Sequence, residues 1–167
     1  MVDVGRGMAA PLDLTVKGYQ MDSTQPGIFD CKGNLLYANS FFPTEPLWWD
    51  SDLCQEYLRD DTTVRISKFN VGYDDLIDKN TDAPGVYEAD GGRLAFWGDI
   101  LGDWREDLLV VENNNAALRI YVSHYPATNR LYTLMHNPQY RDQTTVKGYV
   151  ESSMVDCRPR ITRNGST

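Results

Sequence analysis

An all-β fold, built as an array of short antiparallel strands or as propeller blades, is what this 167-residue sequence predicts. Apolar runs are short and close together, and Gly, Pro, Asn or Asp stands between them. Several runs alternate with the period of two that puts every other side chain on one sheet face. The chain also carries ten Tyr, five Phe and four Trp, side chains that suit a pleated, half-buried surface.

Taken in order, GYQMDSTQPGIFDCKGNLLYAN reads as a strand, a Gln-Pro-Gly turn, a strand at IFD, a Lys-Gly-Asn turn and a strand at LLYA. DLCQEYL has apolar residues at 53, 54, 57 and 58, which is helical spacing. It is short for a helix and follows two prolines, so helix and strand both stay open. TTVRISKFN alternates, with Val64 and Ile66 on one face and Arg65 and Ser67 on the other. VGYDDLIDKNTDAPG is polar and punctuated by Pro and Gly, and is expected to be loop. RLAFWGDI, EDLLVVEN and ALRIYVSHY supply three more strands. In the last of these, Leu118, Ile120 and Val122 face one way and Arg119 and Tyr121 the other. Residues 158–167 are a polar tail expected to fray.

Length fits about one domain of roughly 100–200 residues, and 41% hydrophobic residues suffice for a core. A net charge of −8, from 24 acids against 16 Lys plus Arg, argues against nucleic acid as partner. The same charge conflicts with an acidic substrate unless bound cations or local Arg clusters invert the field. No run approaches the roughly 20 apolar residues of a membrane span, so no membrane partner is expected. MVDVGRGMAAPLDL shows no charged n-region followed by an apolar h-region, so no signal peptide is visible in this chain. Cys31, Cys54 and Cys157 lack zinc-ligand spacing. They are compatible with one disulfide and a leftover thiol, or with no disulfide.

The stretch GDILGDWREDLLVVENN puts Asp99, Asp103 and Asp107 at every fourth position. Between two strands, such a loop offers three carboxylates and the main-chain carbonyls of Leu101 and Arg105. Gly102 permits a sharp turn. Calcium takes six to eight oxygens at about 2.3–2.6 Å, so this donor set suits it. A solvated acidic turn fits the same spacing. The loop resembles the aspartate-rich loops of calcium-dependent β-propellers.

A more specific resemblance covers nearly the whole chain, from about Gly18 to about Met154. LWWDSDLCQEYL, VRISKFN, GDILGDWRED, ALRIYVSHYPATNRLYTLMHNPQYR and GIFDCKGNLL are similar to segments of rhamnogalacturonan lyases of polysaccharide lyase family 11. The resemblance implies a secreted, extracellular, calcium-binding, eight-bladed β-propeller that cleaves pectic polysaccharide by β-elimination at galacturonate. A blade needs roughly 40–50 residues. The chain is therefore expected to supply about three or four blades, the C-terminal part of such a propeller, at 18–157. Residues 1–17 are set apart as a poorly defined N-terminal segment.

Two catalytic positions carry over. Tyr149 is the positional match to the family's functional tyrosine, although TTVKGYVES stands in place of the family's context. Arg93, in ADGGRLAFWGD, is the cation nearest to the place of the family's lysine. An Arg neutralises a carboxylate but is a poor base at neutral pH. Lys68, Arg119, Arg130 and Arg141 are candidate galacturonate contacts, with salt bridges to the many acids as the other reading. Trp48, Trp49, Trp97 and Trp104 are candidates for sugar stacking or for the core, and Trp49 is taken as a substrate contact. Asp50 and Asp52 are a possible second cation site or a solvated turn, and Ser51 replaces the family's Gly between them. His124 and His136 read as structural. Two functional classes follow: a calcium-dependent rhamnogalacturonan lyase present as a fragment inactive alone, and a non-catalytic, calcium-stabilised carbohydrate-binding propeller. An adhesion-type calcium propeller shares only the acidic loop.

Overall fold

A computed structural model describes residues 7–41, 45–60, 64–73, 75–78, 93–112 and 115–145. Within them the chain is nearly all strand. Three antiparallel sheets of four, four and three strands follow one another along the sequence. In each sheet, strands adjacent in sequence are hydrogen-bonded neighbours. Turns and short loops allow this up-and-down order, since antiparallel pairs need no crossover connection.

The first sheet contains β1 (Gly7–Ala10), β2 (Gln20–Ser23), β3 (Ile28–Phe29) and β4 (Leu35–Tyr37). β1 lies inside the segment 1–17 set apart in the sequence. The Pro26-Gly27 turn depends on glycine. Its φ is 110°, and a Cβ there would come within 2.6 Å of Leu35 Cδ1. At the next turn Asp30 Oδ1 accepts the N–H groups of Lys32 and Asn34, each at 2.8 Å. That local side-chain bonding closes the hairpin the sequence predicts.

The second sheet contains β5 (Glu45–Leu47), β6 (Glu56–Asp60), β7 (Val64–Asn70) and β8 (Asp75–Asp78). Pro46 is tolerated because β5 is an edge strand. The helical spacing of DLCQEYL is overridden: residues 51–54 bend, and β6 pairs with β5 on one side and β7 on the other. The polar stretch expected as loop contains β8, which pairs with β7 from Ser67↔Asp78 to Asn70↔Asp75. Pairing to an existing strand edge decided both cases.

β9 (Arg93–Gly98), β10 (Asp107–Val111) and β11 (Leu118–Tyr121) form the third sheet, with β10 central. A 3-10 turn (Leu134–His136) and a seven-residue helix α1 (Pro138–Thr144) follow. Asn137 caps α1 by accepting the Gln139 N–H at 2.9 Å, and Pro138 occupies the first turn, where no N–H is needed.

The second sheet is covered on both faces. Leu47, Trp49, Leu58 and Ile66 pack with Trp97, Leu108 and Val110 of the third sheet. Tyr57 and Phe69, on the opposite face, pack with Met8, Ala10, Leu12 and Ile28 beside the first sheet. Consecutive residues Tyr57 and Leu58 thus enter different cores, as strand alternation requires. Leu118 and Ile120 on β11, and Val122 just beyond it, are exposed, whereas Tyr121 packs against the core. Among the described residues, no helix is long and apolar enough to cross a membrane.

Candidate functional site

Three stretches singled out in the sequence come together beside a third cluster of Trp48, Trp104, Leu134 and Tyr140. They are the Trp48–Asp52 segment, the Asp99–Asp107 loop and the 129–140 segment. Trp48 and Glu106 join the first two like a short ladder: Glu106 N–H donates to the Trp48 carbonyl at 2.7 Å, and Trp48 N–H donates to Glu106 Oε2 at 3.1 Å. Glu106 Oε1 accepts the Tyr140 hydroxyl at 2.6 Å, which ties in α1. Burial and the Glu106 charge push the Tyr140 phenol up, so it stays a donor. Asn129 links the far side, accepting from Trp104 Nε1 at 3.1 Å and donating to the Ser51 carbonyl at 3.2 Å.

Next to Trp49 lies an acidic cluster. Asp50, Asp52 and Glu56 offer carboxylate oxygens within 4.8 Å of one another, close enough to hold a metal ion. In the structure the Lys68 ammonium sits among them, 2.6 Å from Asp50 Oδ2, 2.6 Å from Asp52 Oδ2 and 2.9 Å from Glu56 Oε1. Local Asx turns aim the aspartates: Asp50 Oδ1 accepts the Asp52 N–H and Asp52 Oδ1 accepts the Cys54 N–H. Glu56 is fully buried, and its second oxygen accepts the Trp49 N–H at 3.0 Å.

Burial pushes the Glu56 carboxyl up to about 8 even though Lys68 pulls the other way. Burial also raises Asp50, but its bonds to Lys68 and to the Asp52 N–H hold it below the usual carboxylate range. Lys68 is pushed down by burial and raised further by Glu56 and its carboxylate hydrogen bonds, so it remains an ammonium.

Around the Asp99 loop, the carboxylates meet hydrogen-bond donors. Asp99 Oδ1 accepts from Gly102 N at 2.8 Å. Asp99 Oδ2 accepts from Trp104 N at 3.2 Å, Thr133 Oγ1 at 2.6 Å and Leu134 N at 2.7 Å. Asp107 Oδ2 accepts from the N–H groups of Ile100 and Leu101, at 3.0 and 2.9 Å. Asp103 faces the Arg105 guanidinium, which also donates to Ser123 Oγ and the Tyr125 carbonyl. Gly102 and Trp104 take positive φ, 82° and 70°, to make this turn.

The predicted sugar contacts fall in different surroundings. Trp49 is fully buried in the core between the second and third sheets, so no ring face is open to a sugar. Trp48, Trp97 and Trp104 are buried as well. Lys68 is committed to the acidic cluster. Arg119 is exposed on β11, bonded to Glu112 and lying 6.0 Å from the Tyr121 ring centroid. Arg141, exposed on α1, donates to the carbonyls of Met135 and His136. Arg130 is exposed. His124 stacks on Tyr125 with ring centroids 4.5 Å apart, and His136 lies 5.5 Å from the Tyr132 ring. Arg93 begins β9, and its side chain lies outside the described residues, as do Tyr149 and Cys157 entirely. Cys31 and Cys54 are free thiols.

Glu56 is the residue that sequence reasoning missed. Its signal was present: one step beyond the Tyr57↔Ser67 pair, Glu56 faces Lys68 across neighbouring strands, an opposite-charge pair that favours this register. The ambiguity of DLCQEYL hid it.

The family model described as "Rhamnogalacturonan lyase family 11, C-terminal domain" matches residues 1–150. The chain is 37% identical over 145 residues to the rhamnogalacturonan endolyase YesW of Bacillus subtilis (strain 168), covering 83% of this chain and 22% of that protein. It is 33% identical over 156 residues to the rhamnogalacturonan exolyase YesX of the same organism, covering 83% of this chain and 25% of that one. The solved structure of the Bacillus licheniformis rhamnogalacturonan lyase PL11 superposes with a TM-score of 0.74 at 29% identity, over 95% of this chain and 26% of that chain. The chain thus spans about a quarter of the length of the relatives it matches. A match across 150 residues, with the motif segments packed against one another, places this chain in rhamnogalacturonan lyase family 11, in the family's C-terminal domain.

Proposed function

We propose that this chain is the C-terminal part of an extracellular, calcium-dependent rhamnogalacturonan lyase with a β-propeller fold. The family match over residues 1–150 carries the reading. Up-and-down sheets of three or four strands, arranged in chain order, support propeller blades. The reaction is β-elimination within pectic polysaccharide. A base takes the C5 proton of galacturonate, the C4–O bond breaks with its electron pair leaving on oxygen, and a C4–C5 double bond forms. The C5 proton becomes acidic when the neighbouring carboxylate is neutralised. In this reading Arg93 supplies positive charge to that carboxylate, and Tyr149 belongs to the proton-transfer apparatus. Arg119, Arg130 and Arg141 contact the polymer's uronates.

Calcium, where bound, neutralises carboxylate charge and lets a net-acidic protein hold an acidic polymer. Asp50, Asp52 and Glu56 fit a divalent ion by donor chemistry, but only in exchange for the Lys68 ammonium. The non-catalytic sugar-binding reading is favoured by one observation: GGR stands where the family's lysine is expected.

A chimera separates the two readings. This chain replaces the C-terminal quarter of the Bacillus subtilis endolyase, and unsaturated uronate released from rhamnogalacturonan is followed by ultraviolet absorbance. Turnover by the chimera, reduced in kcat but not in sugar affinity by Tyr149→Phe, is the result expected of a lyase part. A folded chimera that binds the polymer and releases no unsaturated uronate overturns the catalytic reading in favour of sugar binding.

A further inference from the structure

We infer that the loop from Asp99 to Asp107 is a cation-free staple, in which Asp99 docks the 131–144 segment and Arg105 serves as the built-in positive charge. The donor count carries this. A calcium site needs oxygen lone pairs converging on one point. Asp99 instead spends its two oxygens on four donors, three of them on Oδ2. A carboxylate oxygen offers about two lone-pair sites, so Oδ2 is saturated.

The other flank is turned the same way. Asp107 Oδ2 accepts two main-chain N–H groups, one of them from Leu101, the residue whose carbonyl was expected to face an ion. Those two N–H groups take up the lone-pair sites of Asp107 Oδ2. Asp103 already faces a cation of the chain's own. Arg105 is buried, and its guanidinium is held by Asp103, Ser123 and Tyr125. Among the described residues, the carboxylates close enough to share an ion are Asp50, Asp52 and Glu56, not these three.

What the loop does is join distant chain. Thr133 and Leu134 lie 34 and 35 positions beyond Asp99, and both bond its Oδ2. Leu134 then packs with Trp48, Trp104 and Tyr140. Asp99 is therefore a positioning residue for the segment that carries Arg141, whatever reaction the protein performs.

Two measurements on the 167-residue chain test this, neither of which depends on activity. First, melting of the wild type and of Asp103→Asn is compared in chelator and in excess calcium. The staple requires the wild-type-to-variant difference in Tm to be the same in both. A calcium-induced rise in the wild type that Asp103→Asn abolishes overturns it, since only a ligand bound at this loop links the two. Second, terbium luminescence is read through tryptophan, with buried Trp104 inside the loop. Silence, or emission lost in an Asp50→Asn, Glu56→Gln double variant and kept in Asp103→Asn, supports the staple. Emission kept in that double variant and lost in Asp103→Asn overturns it.

Discussion

The Tyr140 hydroxyl donates a 2.6 Å hydrogen bond to Glu106 Oε1 and accepts the Asp99 N–H at 3.1 Å. One phenol thereby satisfies a buried carboxylate and a buried amide from two ends of a single loop. Glu106 in turn pairs with the main chain of Trp48. The contact is the junction of the helix, the acidic loop and the tryptophan segment.

Removing that hydroxyl should be costly. Tyr140→Phe leaves Glu106 Oε1 and the Asp99 N–H without this partner, at about 1–3 kcal/mol for a buried group left unsatisfied. Urea denaturation measures it. A midpoint unchanged from the wild type would show that the junction contributes little.

Lys68→Met should destabilise the chain by about 3 kcal/mol, because Asp50, Asp52 and Glu56 lose the ammonium at their centre. The vacated space suits a divalent ion, so calcium should raise the Tm of this variant more than that of the wild type. Equal calcium responses in the two proteins would show that Lys68 and a metal do not compete there.

Glu56 predicts a pH dependence with a definite sign. Its carboxyl is raised from 4.5 to about 8 in the folded chain, mainly by burial. Between these values the folded state binds the proton that the unfolded state has released. The stability this provides is full below pH 4.5 and is lost as pH rises through about 8. Glu56→Gln removes the titration. The stability of the wild type relative to Glu56→Gln should therefore fall across that window, and a flat or rising difference would contradict the assignment.

Leu108 is fully buried where the second and third sheets meet. Leu108→Ala should cost about 2–5 kcal/mol through lost burial and the cavity left behind. Calorimetry or chemical denaturation checks this, and a loss below that range would mean that the two sheets close over the gap.

The two described thiols should differ in reactivity. Cys31 is exposed. Burial, with Asp52 nearby, pushes the Cys54 thiol up to about 12, and the thiolate is the reactive form. Iodoacetamide followed by peptide mass spectrometry should find Cys31 labelled well before Cys54. The reverse order would place Cys54 in a different environment.

The sequence by itself determined the features whose causes are local. Asp30 closes its own turn through N–H groups two and four residues away, and Gly27 takes a φ its turn requires. The alternation of β7 and the short runs at β9, β10 and β11 were legible for the same reason, because strand period is a property of neighbours in the chain. So was the family, carried by ordered motifs rather than by any one contact. Tertiary structure alone decided the rest. DLCQEYL became β6 because edges of β5 and β7 were there to pair with, and β8 formed in a polar stretch because it pairs with β7 and Leu76 packs beside the Phe69 core. Trp49, just beyond β5, faces the core rather than a sugar because it packs between the second and third sheets. The donors that bind Asp99 come from Thr133 and Leu134, and the cation among Asp50, Asp52 and Glu56 comes from the next strand. Spacing along a chain reports which carboxylates can converge; which partner reaches them first depends on strand register and loop docking, and those are set by the whole fold.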